Sequence, residues 1–112
     1  MSEAGLETAP PQDNAAEMCV LGSMMLSKAA IEDCIDVLDG RDFYRPAHEE
    51  IFAAIVHLHT AGEPADMVTG MGELQRRDVL VKGGGGPYLH TLTANVPTPG
   101  SAAYYAGQVS EA

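Results

Sequence analysis

The chain has 112 residues, with 16 carboxylate side chains against 6 lysines and arginines and a formal charge of −10 at neutral pH. That length suits one domain, and 46% apolar residues are enough to pack one core without disulfide staples. The cations Lys28, Arg41, Arg45, Arg76, Arg77 and Lys82 are dispersed, so they can release few counterions and a phosphate backbone is excluded as an expected direct partner.

No apolar run approaches the roughly 20 residues that span a bilayer, so no membrane partner is expected. The N-terminus carries Glu3 and Glu7 in place of a basic start and lacks a hydrophobic stretch, so it does not read as a secretory signal. Cys19 and Cys34 fall on apolar helix faces, as reduced core thiols do, and a cytoplasmic localisation is expected.

Residues 1 to 12 mix Ser, Glu, Gly, Thr, Pro and Gln with hardly any large apolar side chain; they read as a disordered tail before a domain over 13 to 112. Helical periodicity begins at Asn14. Asn14 and Glu17 stand at capping-box spacing, and Met18, Leu21, Gly22, Met25 and Leu26 recur on one face. Ser27 is the expected cap of a second helix with a stripe of Ile31, Cys34, Ile35 and Leu38, ended by Gly40 in a left-handed conformation. Opposite that stripe, Glu32, Asp36 and Asp39 form an acidic row that is able to attract a basic partner.

Pro46, after Phe43-Tyr44-Arg45, opens a third helix whose stripe is Ile51, Phe52, Ile55 and Leu58. Ala47, Ala54 and Val56 keep its flanks apolar, which makes it the expected central helix, closed by Gly62 and Pro64. Asp66 caps a fourth helix carrying Met67, Val68, Met71 and Leu74, weakened by Gly70 and Gly72 at about 1 kcal/mol each relative to alanine. Gly83 to Gly86 form a flexible break; Pro87 restarts the chain, and Tyr88, Leu89, Leu92 and Val96 make a short fifth helix halted by Pro97 and Pro99. Ser101 is the expected cap of a final helix with Ala102, Tyr105 and Val109 on one side, cut short at Ala112. No segment sustains period-two alternation, so the predicted fold is all-α, a compact bundle of about six helices.

The chemistry-bearing motifs are incomplete. His48-Glu49-Glu50-Ile51-Phe52 begins as a zinc-protease helix does, but Phe52 stands where the second histidine belongs. His57 and His59 point apart on a helix and His90 sits alone, so no metal site is expected. Lys82 precedes the glycine run instead of following it, which is not phosphate-loop order. No serine or cysteine has an identifiable base and no carboxylate pattern implies a shifted pKa, so neither a catalytic residue nor a cofactor is assigned. Met24, Met25, Met67 and Met71 read as core filling at helical spacing. Tyr104 and Tyr105 face different directions on a helix, and one of them is expected to meet something outside this domain.

A collinear set of pieces carries a family resemblance. It comprises Pro11-Gln12-Asp13, Ala16-Glu17, Val20-Leu21-Gly22, Asp42-Phe43-Tyr44-Arg45-Pro46-Ala47-His48, Ile51-Phe52, Ala54-Ile55, Gly62-Glu63-Pro64-Ala65-Asp66, Val68-Thr69, Glu73-Leu74, Arg76-Arg77, Leu80, Gly84-Gly85, Tyr88-Leu89, Asn95-Val96-Pro97-Thr98 and Tyr104-Tyr105-Ala106. Over about residues 11 to 112 the chain resembles the N-terminal domain of bacterial replicative DNA helicases of the DnaB type. The resemblance implies a helical head followed by a long helical hairpin, with hairpins pairing so that six subunits form a collar that docks a DnaG-type primase. ATP and magnesium belong, in that family, to a separate motor domain with a phosphate loop, expected to be absent from this chain.

What the resemblance implies is therefore a non-catalytic interaction and assembly domain, partnered by primase and by other helicase protomers. The alternative is a stand-alone motorless paralogue that regulates helicase or primase by binding them. Tyr104, Tyr105 and Val109, at the stub of the hairpin, are the expected interface residues, together with Glu32, Asp36 and Asp39. The sequence departs from the family at Met18, where glutamine is usual, at Gly70 and Gly72 in place of helix formers, and at Gly83 and Gly86 before Tyr88. These changes loosen the fourth helix and the loop after it.

Overall fold

Local side-chain chemistry places most of the helix starts in the computed structural model, which describes residues 14–81 and 85–111. The expectations for the tail, for Lys82 to Gly84 and for Ala112 lie outside the described residues. Six α-helices are found among those described: α1 (Asn14–Leu26), α2 (Lys28–Ile35), α3 (Pro46–Thr60), α4 (Met67–Arg76), α5 (Gly85–Ala94) and α6 (Ala102–Glu111). Short 3-10 turns at Gly40–Asp42 and Pro99–Ser101 join them, and no strand occurs among the described residues. The fold is all-α.

Ser27, in an extended conformation, accepts the Ala30 N–H at 3.3 Å and starts α2. Pro46 is the first residue of α3, where its missing N–H loses nothing. Asp66 and Thr69 form a reciprocal capping box, with Asp66 Oδ1 accepting the Thr69 N–H at 2.9 Å and Thr69 Oγ1 accepting the Asp66 N–H at 3.0 Å. Gly62 closes α3 at φ +77°, and the Glu63 N–H turns back to Leu58 O at 2.9 Å.

Elsewhere the boundaries move, each for a local reason. The second helix stops at Ile35, and Gly40 does not take a positive φ; it opens a 3-10 turn instead. Asp39 caps that turn by accepting the Arg41 N–H at 2.8 Å, while Asp42 accepts the Asp39 N–H at 2.8 Å. Carboxylates that bond nearby backbone compete with helix, so the acidic row is not one helix face. Glu32 lies on α2, Asp36 at its C-cap and Asp39 at the N-cap of the next turn. The cap before α6 is Thr98, whose Oγ1 accepts the Gly100 N–H; Ser101 sits inside the 3-10 turn. The fifth helix starts at Gly85, before Pro87, and Val96 lies past its end.

The central helix is α1, not α3. It packs against α2, α3, α5 and α6, whereas α3 lies between α1 and α4 and touches α2 more lightly. Ala16, Glu17 and every residue from Val20 to Met25 are buried, the pattern of a helix covered on all sides. Leu26, expected on its stripe, is instead 52% exposed. Gly22 makes the tight crossing of α1 over the end of α5: a Cβ there would collide with the Leu92 carbonyl and the Val96 side chain.

The interior is filled by Leu21, Ile51, Ile55, Leu58, Leu74 and Leu92, with Phe43 tilted against Phe52 at 4.9 Å between centroids. Val68, expected to face inward from α4, is 69% exposed; Leu74 is the large apolar side chain that α4 buries fully, and Met67 and Met71 are half-buried. Neither cysteine forms a disulfide, and burial pushes the Cys34 thiol up to about 11. No described helix is long and apolar enough to cross a membrane.

Candidate functional site

The strongest polar feature is buried where α1, α3 and α5 meet. Glu17 on α1 is 1% exposed and His48 in the first turn of α3 is fully buried. His48 Nδ1 lies 2.7 Å from Glu17 Oε1, and His48 Nε2 lies 2.5 Å from the Tyr88 hydroxyl of α5. A carboxylate only accepts, so Nδ1–H donates to Glu17 and Nε2 of the neutral ring accepts from Tyr88. The second oxygen of Glu17 accepts the backbone N–H of Tyr44 at 2.8 Å. Burial holds the His48 pKa below its ordinary value, opposed in part by the Glu17 carboxylate.

Above this chain of hydrogen bonds the Tyr88 ring stacks on His48 and carries Arg45, whose guanidinium lies 6.0 Å from the ring centroid and bonds Asn14 Oδ1 at 3.3 Å. Both ring nitrogens of His48 are engaged and the ring is sealed from solvent, so it is neither a metal ligand nor an available base. The arrangement clamps three helices together. Glu17, expected to cap its own helix, is drawn instead into this tertiary cluster.

Glu73 on α4 is a second buried carboxylate, 3% exposed. Arg77 Nε donates to its Oε2 at 2.6 Å, Arg76 donates to its Oε1, and His57 of α3 stands 3.9 Å away. These partners, the Arg77 hydrogen bond foremost, hold the Glu73 carboxyl below the usual carboxylate range. Among the described residues no group of three or more His, Cys, Asp or Glu is placed to hold a metal ion.

The expected interface residues divide. Tyr104 is 67% exposed, while Tyr105 is half-buried and meets it edge to face, with centroids 5.3 Å apart. Val109 is 1% exposed and belongs to the core, so it offers no surface to a partner. Glu32, Asp36 and Asp39 are exposed but do not form a single row, and Asp39 is held by Arg41 at 3.0 Å, which keeps its carboxyl below the ordinary range.

Glu17 and Tyr88 are the site residues that spacing alone does not reveal, because they stand 31 and 40 residues from His48. All three nonetheless lie inside the motif pieces that carry the resemblance.

The family model for the DnaB-like helicase N terminal domain matches residues 9–111. The replicative DNA helicase DnaB of Mycobacterium leprae is 57% identical over 102 residues, covering 91% of this chain and 17% of that protein. The replicative DNA helicase DnaB of Leifsonia xyli is 48% identical over 105 residues, covering 94% and 23%. That of Geobacillus stearothermophilus is 42% identical over 111 residues, covering 99% and 24%. The chain thus spans less than a quarter of the length of these curated relatives. In three dimensions it is similar to the crystal structure of the N-terminal domain of DnaB helicase from Mycobacterium tuberculosis, with a TM-score of 0.90 at 55% identity over 92% of this chain and 75% of that one. Agreement of sequence and backbone over nearly the whole described length leaves one assignment: the chain belongs to the DnaB-like helicase N-terminal domain family.

Proposed function

We propose that this chain is the head module of a replicative DNA helicase, acting in DNA replication by protein contact and not by catalysis. Its roles are to help build the N-terminal collar with other protomers and to recruit a DnaG-type primase. ATP and magnesium serve the family's separate motor domain; no residue of this head is assigned to them. The observation that carries the reading is the match to the Mycobacterium tuberculosis helicase domain in backbone and sequence together. It is supported by the way the buried polar groups are used: His48 and Glu17 are engaged by one another, Tyr88 and the backbone of Tyr44. What the domain offers outward is surface, including the exposed ring of Tyr104.

The test is calorimetric titration of the chain with a purified primase C-terminal domain, beside light scattering of the chain alone. A saturable binding heat is expected. Absence of binding to the chain and to a helicase that contains it would end the recruitment role; a chain that never enters mixed oligomers with helicase protomers would end the collar role.

A further inference from the structure

Where α2 gives way to the Asp39 turn, an open groove of about 460 Å³ runs along α3. Ile35, Leu38, Phe52, Ala53 and Val56 form its apolar lining, and Asp39, Glu49 and His57 its polar edge. Ile35, Ala53 and Val56 are only half-buried, so apolar surface here stays uncovered by the chain's own core. Just outside, Asp36 and Val37 are exposed, Val37 to 45%. Arg41 pairs with Asp39 and offsets its charge, and Arg76 and Arg77 bind Glu73, so the negative charge at the groove comes from Glu49 and the neighbouring Asp36. The groove is therefore an apolar slot edged by negative charge.

We propose that it docks an amphipathic helix with a basic flank, supplied by another protein. Apolar side chains at i, i+3 and i+4 would enter between Ile35, Phe52 and Val56, and lysine or arginine beside them would meet Asp36 and Glu49. Charge selects this occupant over the two nearer ones. The chain's own residues 1–13 bring Glu3, Glu7 and Asp13 and no lysine or arginine. A second copy seated groove to groove would set Asp36 and Glu49 against the same carboxylates.

The groove stands apart from the primase reading, and its test uses no primase. The isotope-labelled chain is titrated with a synthetic peptide of about 14 residues built from leucine and lysine at amphipathic helical spacing. One control replaces every lysine with glutamate; another keeps the composition and scrambles the leucine positions. Amide shifts are expected to gather at Ile35, Leu38, Phe52, Ala53 and Val56, with binding at least about tenfold tighter than for either control. Ala53→Arg, which fills and charges the groove, should weaken binding at least about tenfold, and Glu49→Lys, at an exposed site that does not endanger folding, at least about threefold. Absence of binding, shifts spread over the acidic surface, equal binding of the scrambled peptide, or wild-type affinity in the Glu49→Lys chain would each overturn the proposal.

Discussion

Glu17 and His48 show how one buried polar pair couples local sequence to tertiary structure. Removing the Glu17 carboxylate leaves the buried His48 Nδ1–H and the part-buried Tyr44 N–H without their acceptor. Glu17→Ala should therefore cost about 2 to 3 kcal/mol of stability, read from urea unfolding. The neutral state of His48 has its own signature. Its folded pKa lies below the ordinary 6.5 because of burial, so the unfolded chain takes up the proton first. The stability tied to His48 is complete above about pH 6.5 and is lost as pH falls from there through the lower folded pKa. Urea midpoints should drop between about pH 7.5 and about pH 5.5, and His48→Gln, which keeps a donor and an acceptor but does not titrate, should shrink that drop. Equal drops in both proteins would show that other groups carry the acid sensitivity.

Two glycines at helical positions should respond in opposite directions. Gly72 on α4 has nothing within 4 Å of where a Cβ would stand, so Gly72→Ala should raise stability by about 0.8 to 1 kcal/mol. Gly22 meets the Leu92 carbonyl and Val96, so Gly22→Ala should lower it by about 1 to 3 kcal/mol through a forced shift of α5. Thermal melting of the two variants against the parent checks both signs. The sequence places Gly22 on the apolar stripe of its helix and Gly72 among the residues that weaken theirs; what a Cβ would meet at each is set by the packing. Caps divide the same way. Ser27, Pro46 and Asp66 act within a few residues of themselves and are legible from spacing. Gly40 looks like a helix end but is not one, because Asp39 and Asp42 take the backbone N–H groups that would have continued the pattern.

At the scale of the molecule, the charge and the exposed side chains set how the domain meets others. Tyr104 presents most of its ring on α6 without a place in the core. If it anchors a contact, Tyr104→Ser should leave unfolding within about 0.5 kcal/mol of the parent and weaken self-association or helicase binding by at least about 1 kcal/mol. Sedimentation of the variant, alone and with helicase protomers, provides the readout; an unchanged profile removes Tyr104 from the interface. Tyr105 and Val109 make poorer probes, since half-burial and full burial mix packing with contact.

The amino-acid sequence by itself determined the all-α class, the number of helices and most of their starts, because periodicity and capping are properties of a few neighbouring residues. The ordered motif pieces also determined the family. Only the tertiary structure decided that α1 lies at the centre, since an apolar stripe does not say how many neighbours a helix will have. Only it joined Glu17, His48 and Tyr88, whose contact depends on how three helices pack and leaves no trace in their spacing. Burial likewise moved Val109 from an expected contact surface into the core, because which face of a helix turns inward is settled by the helices it meets.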